Sequence, residues 1–172
     1  MTEAYPRPAV TAVLSVADMR RSDAYTIEHF TDSKTLMARA GQGLFEACKW
    51  RGRVAVVCGS GNNAGDGYVL AALLAEAGID VHIILLEEKF SPDGAYFFAR
   101  ARARGVPASL WEAGTDLRGY DCIADCIFGT GFHGEVRGAA ADAIRAINGS
   151  GAFVVSADIN SGMNGDTGEG DR

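Results

Sequence analysis

The sequence is short of basic residues, with 16 Lys and Arg against 22 Asp and Glu and a net charge of −6 at pH 7. Proteins that bind nucleic acid usually carry a basic footprint, so this composition disfavours that class. No apolar run approaches the roughly 20 residues that a membrane-spanning helix needs. Residues 1–8 also lack the charged-then-apolar pattern of a secretory signal. We therefore expect a cytoplasmic protein that binds neither nucleic acid nor membranes.

Cysteine is scarce as well, and its spacing does not favour a zinc site. The chain has Cys48, Cys58, Cys122 and Cys126, and no second close pair or His-x-x-x-His accompanies the last two. Buried, reduced thiols are therefore favoured over zinc ligands. The sequence also lacks a Gly-x-Ser-x-Gly elbow and suggests no Cys–His pair, which disfavours nucleophilic hydrolysis.

The distribution of apolar residues predicts an α/β protein. Two helices open the chain, and from residue 53 short apolar strands alternate with helices, which implies a parallel sheet covered on both faces. We expect residues 1–172 to form a single domain that lacks its last strands, with an exposed or disordered tail over 164–172. The predicted helices cover residues 16–29, from about 33 onward, 66–77, 92–104 and 137–148, and the predicted strands cover 53–58, 80–86, 106–111, 121–128 and 152–157.

Unusual polar residues follow three of the predicted strands. They occupy residues 59–67, residues 129–135 with Asp125 just before them, and residues 158–162. In an open parallel sheet, ligands bind beyond the carboxyl ends of the strands. We therefore expect these three loops to form one site.

The first loop matches the loose dinucleotide pattern G-x-G-x-x-G/A through Gly59, Gly61 and Ala64. Its glycines would let backbone N–H groups approach an anion at a helix N-terminus. Asp66 would repel a phosphate close to it, so this loop suits a polar organic group, a ribose hydroxyl or a hard cation better. Asp66 is also a candidate N-cap for the helix that follows, and the two roles are compatible.

Asp125 lies in an otherwise apolar strand, and a buried carboxylate must be paired, hydrogen-bonded or metal-bound. It can bond a loop N–H or an arginine, or it can join Asn63 and Ser161 in an oxygen-lined cation site. Spacing alone does not separate potassium from magnesium, calcium or sodium in such a site. Asp158 ends the fifth strand and is a candidate general acid/base, or it caps the turn at 159–162.

Three motifs resemble those of the YjeF N-terminal family. Residues 59–67 match G-x-G-N-N-x-G-D-G, and residues 125–131 match D-x-x-F-G-T-G. Residues 158–162 resemble D-I-P-S-G, with Asn160 in place of the usual proline, and this change predicts a looser turn around Asp158. The two opening helices also look like those of the family.

The resemblance implies a Rossmann-like, three-layer αβα fold with a central, mostly parallel sheet. It also implies epimerisation of the R and S forms of hydrated NADH and NADPH, one potassium ion per subunit, a homodimer, and a partner NAD(P)H-hydrate dehydratase that is often fused to the family domain. The hydrated dinucleotide is then a substrate and not a cofactor. By motif position the cation ligands are Asn63, Asp125 and Ser161, and the substrate contacts are Asn62, Asn63, Ala64, Gly65, Asp66, Gly129, Thr130, Gly131, Phe132, His133, Gly134, Glu135 and Asp158.

Asp158 is the candidate catalytic residue for such a reaction. The substrate's C6 carries a hydroxyl next to the ring nitrogen, so the hydroxyl can leave with acid assistance as an iminium forms, or the ring can open and reclose. Two other functions stay open. Glu87 ends the second strand, where NAD(P)-dependent oxidoreductases hold a ribose-binding acid. A non-catalytic nucleotide- or partner-binding scaffold of the same fold is the other, although the presence of Asp66 and Asp125 beside Asp158 favours catalysis.

Overall fold

The computed structural model describes residues 14–170, whose strands form one parallel sheet. This confirms the predicted α/β class. Within residues 14–170, no helix is long and apolar enough to cross a membrane. The elements are α1 (Val16–His29), α2 (Ser33–Ala47), β1 (Arg53–Cys58), α3 (Asn62–Glu76), β2 (Asp80–Leu85), α4 (Pro92–Ala103), β3 (Ala108–Leu110), β4 (Cys122–Cys126), α5 (Gly138–Gly149) and β5 (Phe153–Ser156).

The strand order β3-β2-β1-β4-β5 places β1 at the centre of the sheet, and its side chains alternate between two apolar cores. On one face, Val54 and Val56 pack with Leu70 of α3, which in turn contacts α2 and α4. On the other face, Val57 packs with Ile147 of α5. Each of these side chains is almost fully buried, which contributes about 1.5–3 kcal/mol apiece. The result is the predicted three-layer arrangement.

Helix α3 begins at Asn62, four residues before the predicted start at Asp66. A glycine-rich run predicts a loop, but here it forms the first turns of a helix that packs closely on the sheet. A Cβ at Gly67 would lie 2.8 Å from Cys126 Sγ, so only glycine allows this approach. The N-cap is Gly61, and therefore the prediction that Asp66 caps this helix is wrong.

Strands β3 and β4 are shorter than predicted, covering 108–110 and 122–126 instead of 106–111 and 121–128. Apolar character alone predicted the longer strands. After Cys126 the chain leaves the sheet, and the two apolar residues that follow belong to the loop that builds the candidate site.

The two ends of the described chain meet at the start of α1. Ser15 caps this helix by accepting from the Asp18 N–H at 3.1 Å, as its sequence predicts. The N–H of Val16 donates to Asp166 Oδ1 at 2.8 Å, so the tail supplies a carboxylate to the positive end of α1. The tail is exposed as predicted, but over 164–170 it is ordered by this bond and by a bridge between Met163 and Gly170. Residues 171–172 lie outside the described part.

Candidate active site

A cavity of about 650 Å³ opens at the carboxyl edge of the sheet, where the loops after β1 and β4 diverge. From β1 the chain runs outward through β2 and β3 on one side, and it then crosses back to place β4 and β5 on the other side of β1. The cavity therefore lies at the point where the strand order reverses. Open α/β sheets bind ligands at such a point. The predicted residues that line the cavity are Asn62, Asn63, Asp66, Gly129, Thr130, Gly131, Phe132, His133 and Asp158.

Four predicted substrate contacts do not line this cavity. Ala64 is buried in the core, and Gly65 faces α2, where a Cβ would lie 2.4 Å from Met37 Sδ. Gly134 lines a smaller neighbouring hollow, and the exposed Glu135 side chain is ion-paired with Arg137. Their predicted contacts with substrate therefore depend on backbone atoms or on movement of the loop.

Asp125 lies beneath the cavity, 6% exposed, and is held by hydrogen bonds. The Ser161 hydroxyl donates to its Oδ1 at 2.6 Å and the Ser161 N–H donates to its Oδ2 at 3.0 Å. The N–H of Ile127 also donates to Oδ1, at 3.2 Å. This confirms the alternative in which Asp125 bonds a loop N–H. The bonds tie the end of β4 to the loop after β5.

Asn63 sits above this network with one half of its amide unused. Its Nδ2 donates to the Phe128 carbonyl at 2.9 Å, while its Oδ1 is buried and accepts from no group among residues 14–170. A buried acceptor without a donor costs free energy unless a ligand fills the role. The Ser161 hydroxyl lies 3.4 Å from the same Phe128 carbonyl and is bonded to Asp125. These oxygens together suit a hard cation, so the residues fit the predicted ion.

Asp158 reaches across to the loop after β4. Its Oδ2 accepts from the Thr130 N–H at 2.7 Å, which replaces the predicted cap of its own turn. A Cβ at Gly129 would lie only 2.5 Å from the same oxygen, so glycine is needed there. The side chain is otherwise exposed to the cavity. It is thus an oriented and accessible carboxylate.

Asp66 is the electrostatically unusual group of the cavity. Among the described residues, none donates a hydrogen bond to its carboxylate or forms an ion pair with it. Burial first, and then the negative charges of Asp158 and Asp23, raise the pKa of Asp66 to about 7. Near neutral pH this side chain can therefore carry a proton that it can give away.

Six residues that line the cavity were not predicted as substrate contacts. Arg20 and Asp23 come from α1, Ser60 and Gly61 come from the turn after β1, and Ile127 and Phe128 follow β4. The two α1 residues stand three positions apart on an exposed helix surface, a spacing that would have revealed a shared face. Nothing in the sequence, however, places α1 over this edge of the sheet.

An aromatic pair forms part of the cavity wall. The rings of Phe128 and Phe132 stack with centroids 4.3 Å apart and an interplanar angle of 22°. Both residues line the cavity, which gives it one apolar surface beside its polar groups. Such a wall suits a flat heterocycle.

The sequence profile of the family described as YjeF-related protein N-terminus matches residues 33–171. The chain belongs to this family. It is 36% identical to an NAD(P)H-hydrate epimerase of Rhodopirellula baltica, over 88% of this chain and 66% of the relative. It is 35% identical to the NAD(P)H-hydrate epimerase of Limosilactobacillus reuteri strain DSM 20016, over 91% and 77% of the two chains.

Two further similarities bear on architecture. The bifunctional NAD(P)H-hydrate repair enzyme Nnr of Coxiella burnetii is 32% identical over 93% of this chain but 34% of its own length. The chain thus spans about two thirds of the first of these relatives and one third of the bifunctional one. A crystal structure of the yeast protein ynu0 superposes with a TM-score of 0.74 at 23% identity, covering 89% of this chain and 72% of that one, which supports the fold.

The YjeF-type motif after β5 departs from the family pattern at Asn160. The sequence predicts a looser turn, but the Ser156 hydroxyl donates to Asn160 Oδ1 at 3.0 Å and the Met163 N–H donates to the Asn160 carbonyl at 3.0 Å. Hydrogen bonds therefore hold the turn where a proline ring is usual.

Proposed function

We propose that this chain epimerises the R and S forms of hydrated NADH and NADPH. The observation that carries the proposal is the meeting of Asp66 and Asp158 in one cavity with the unpaired Asn63 Oδ1. Membership of the family and the names of its relatives support the same activity. The required chemistry is inversion at a hemiaminal carbon, assisted by proton transfer to and from its hydroxyl oxygen, which needs carboxylates and no reductant.

Asp158 is the proposed proton shuttle. Its carboxylate is accessible and is aimed by the Thr130 N–H, so it can accept or return the proton of the C6 hydroxyl. In one route the substrate hydroxyl takes up a proton and leaves as water while the ring nitrogen supplies its lone pair to form an iminium, and water then adds to the other face and gives the proton back. In the other route the ring opens and recloses. In either route Phe132 and Phe128 offer a surface for the reduced ring.

We also propose one potassium ion per subunit, held by Asn63, Asp125 and Ser161. The unpaired Asn63 Oδ1 supports this assignment. The ion would supply positive charge beside a cavity that contains several carboxylates. We further propose that residues 62–66 and 129–135 contact the substrate.

The partners follow from the same proposal. An epimerase of this kind acts beside an NAD(P)H-hydrate dehydratase, and bifunctional relatives are consistent with the two activities in one chain. We propose that the chain works as a homodimer in the cytoplasm.

A coupled assay tests the activity. The chain is mixed with S- and R-hydrates and an S-specific dehydratase, with and without potassium, and consumption of the R-hydrate is followed. Faster consumption of the R-hydrate is expected. No acceleration under either condition would favour the scaffold alternative, and a change of absorbance at 340 nm that depends on an added oxidisable substrate would favour an oxidoreductase.

A further inference from the structure

A second hollow of about 290 Å³ adjoins the candidate active site. It lies on the β2 side of the turn after β1, between that turn and the start of α5. Ser60 and Phe128 line both spaces and form the ridge between them. Two hollows that share one ridge can be bridged by a single elongated ligand.

We propose that this second hollow binds the adenosine half of the dinucleotide, with Glu87 accepting hydrogen bonds from the ribose hydroxyls. This proposal rests on the proposed function in one respect only: the other half of the bound dinucleotide is taken to be the hydrated nicotinamide. A hydrated dinucleotide is an extended ligand, so when its reacting ring lies beside Asp158 its adenosine half can reach across the shared ridge into the second hollow.

The turn between the two hollows is suited to the diphosphate that joins the halves. A Cβ at Gly61 would meet no atom within 4 Å, so the backbone there is uncovered. Gly61 is also the N-cap of α3 and makes no side-chain cap bond, which leaves first-turn N–H groups for an anion. Asp66 stands five residues further along the helix, about 7.5 Å along its axis, and need not oppose a phosphate at the turn.

Glu87 is placed to select the sugar. It follows the end of β2, the strand beside β1, and its exposed carboxylate forms no hydrogen bond or ion pair with another described residue. A carboxylate accepts from a ribose 2′-hydroxyl but repels a 2′-phosphate. Hydrated NADH is thus expected to bind more tightly than hydrated NADPH.

The remaining walls of the hollow fit a base. Leu86 and the small side chains Ala139 and Ala140 line it with apolar surface. Arg137 also borders the hollow, but its guanidinium is paired with Glu135. An adenine ring can therefore rest between β2 and the first turn of α5.

Calorimetric binding of ADP-ribose tests the site without any epimerisation. Glu87→Gln should weaken ADP-ribose about tenfold, the loss expected for a charged hydrogen bond. Its matched control is Glu88→Gln, an adjacent exposed acid outside the hollow, which should bind as the wild type does. Ala140→Trp, which fills the hollow, should abolish binding, while Ala141→Trp in the same turn should not.

Kinetics separate this proposal from the proposed function. Glu87→Gln should raise KM for hydrated NADH about tenfold with little change in kcat. It should leave hydrated reduced nicotinamide mononucleotide, which lacks adenosine, unaffected. Equal ADP-ribose affinity in wild type, Glu87→Gln and Ala140→Trp, or no binding by the wild type, overturns the assignment of the hollow even if epimerisation occurs. Glu87-dependent binding without epimerisation overturns only the proposed function.

Discussion

Two groups of polar side chains at the cavity use their hydrogen-bonding atoms in opposite ways. We call Asp125 and Ser161 the floor, and Asn63, Asp66 and Asp158 the wall. In the floor, Asp125 and Ser161 are joined to each other and to backbone N–H groups. In the wall, Asp66 has no donor and the Asn63 amide oxygen has no partner within residues 14–170. Asp158 also belongs to the wall, since it accepts one hydrogen bond and its carboxylate is otherwise open to the cavity.

This contrast separates structural polar groups from reactive ones. A carboxylate that accepts several hydrogen bonds stabilises the loops that surround it, and it can still share a lone pair with a cation. A desolvated carboxylate without donors is costly to ionise and holds a proton near neutral pH. The two kinds of group lie at the same edge of the sheet but use their carboxylates differently, so their substitution should give opposite patterns of stability and activity.

The largest expected effect is on the floor. Asp125→Ala leaves the Ser161 and Ile127 donors without an acceptor, and we expect the free energy of unfolding to fall by about 4 kcal/mol. Urea denaturation measures it. Asp142→Ala, which removes a surface acid paired only with Arg145, should change it by less than about 0.5 kcal/mol. A loss below about 1 kcal/mol for Asp125→Ala would show that the network does not hold the loops.

Substitution in the wall should lower activity and leave stability nearly unchanged. Asp158→Asn keeps the shape of the side chain but removes the proton acceptor, so we expect kcat for epimerisation to fall at least about 100-fold. The free energy of unfolding should stay within about 1 kcal/mol of the wild type, since the carboxylate is exposed. The coupled assay and urea denaturation are run on the same preparation. Near wild-type turnover in a folded variant would remove Asp158 from the mechanism.

Asp66 should make the free energy of unfolding depend on pH. Its pKa is raised from 3.8 to about 7, so between about pH 4 and pH 7 the unfolded chain loses this proton while the folded protein keeps it. Stability from this group is present at low pH and is lost as the pH rises through that window. The wild type should therefore lose about 2 kcal/mol more than Asp66→Asn between pH 4 and pH 8. Urea denaturation in potassium-free buffer measures the difference, and parallel pH profiles would contradict it.

The smallest expected effect concerns the packing of α2 against α3, the helix that carries Asn63 and Asp66. Gly41 and Gly43 of α2 offer a matched pair of substitutions. A Cβ at Gly41 would lie 2.4 Å from Val69 Cβ and 2.9 Å from the Asp66 carbonyl, whereas a Cβ at Gly43 would meet nothing within 4 Å. Gly41→Ala should therefore cost about 2 kcal/mol, and Gly43→Ala should add up to about 1 kcal/mol by helix propensity. Thermal unfolding of both variants is the check. Equal shifts would mean that α2 does not approach α3 this closely.

The success of the sequence predictions depended on how local the signal was. Helix α1 was predicted over its observed range because Ser15 and Asp18 mark its start within a few residues. The start of α3 was missed because glycines that signal a loop serve here to bring a helix close to β4, and that partner is distant in sequence. The meeting of three loops at one edge was predictable because parallel strands share their carboxyl edge.

The roles of individual site residues were less accessible. The bond from Thr130 to Asp158 joins loops 28 residues apart, and it depends on β4 and β5 being neighbours. The raised pKa of Asp66 depends first on burial, then on Asp158, and last on Asp23, which α1 brings over the cavity. Sequence alone fixes neither the order of strands nor the path of an opening helix across the sheet.

One crystallographic measurement tests the central claim that the unpaired groups of the wall meet around the substrate. Crystals of the chain would be soaked with rubidium, an anomalous scatterer that replaces potassium, and with a stable tetrahydronicotinamide adenine dinucleotide. The account predicts a rubidium peak at Asn63 Oδ1 and the reduced ring between Asp66 and Asp158. A reduced ring bound elsewhere, or a rubidium peak away from Asn63, would contradict it.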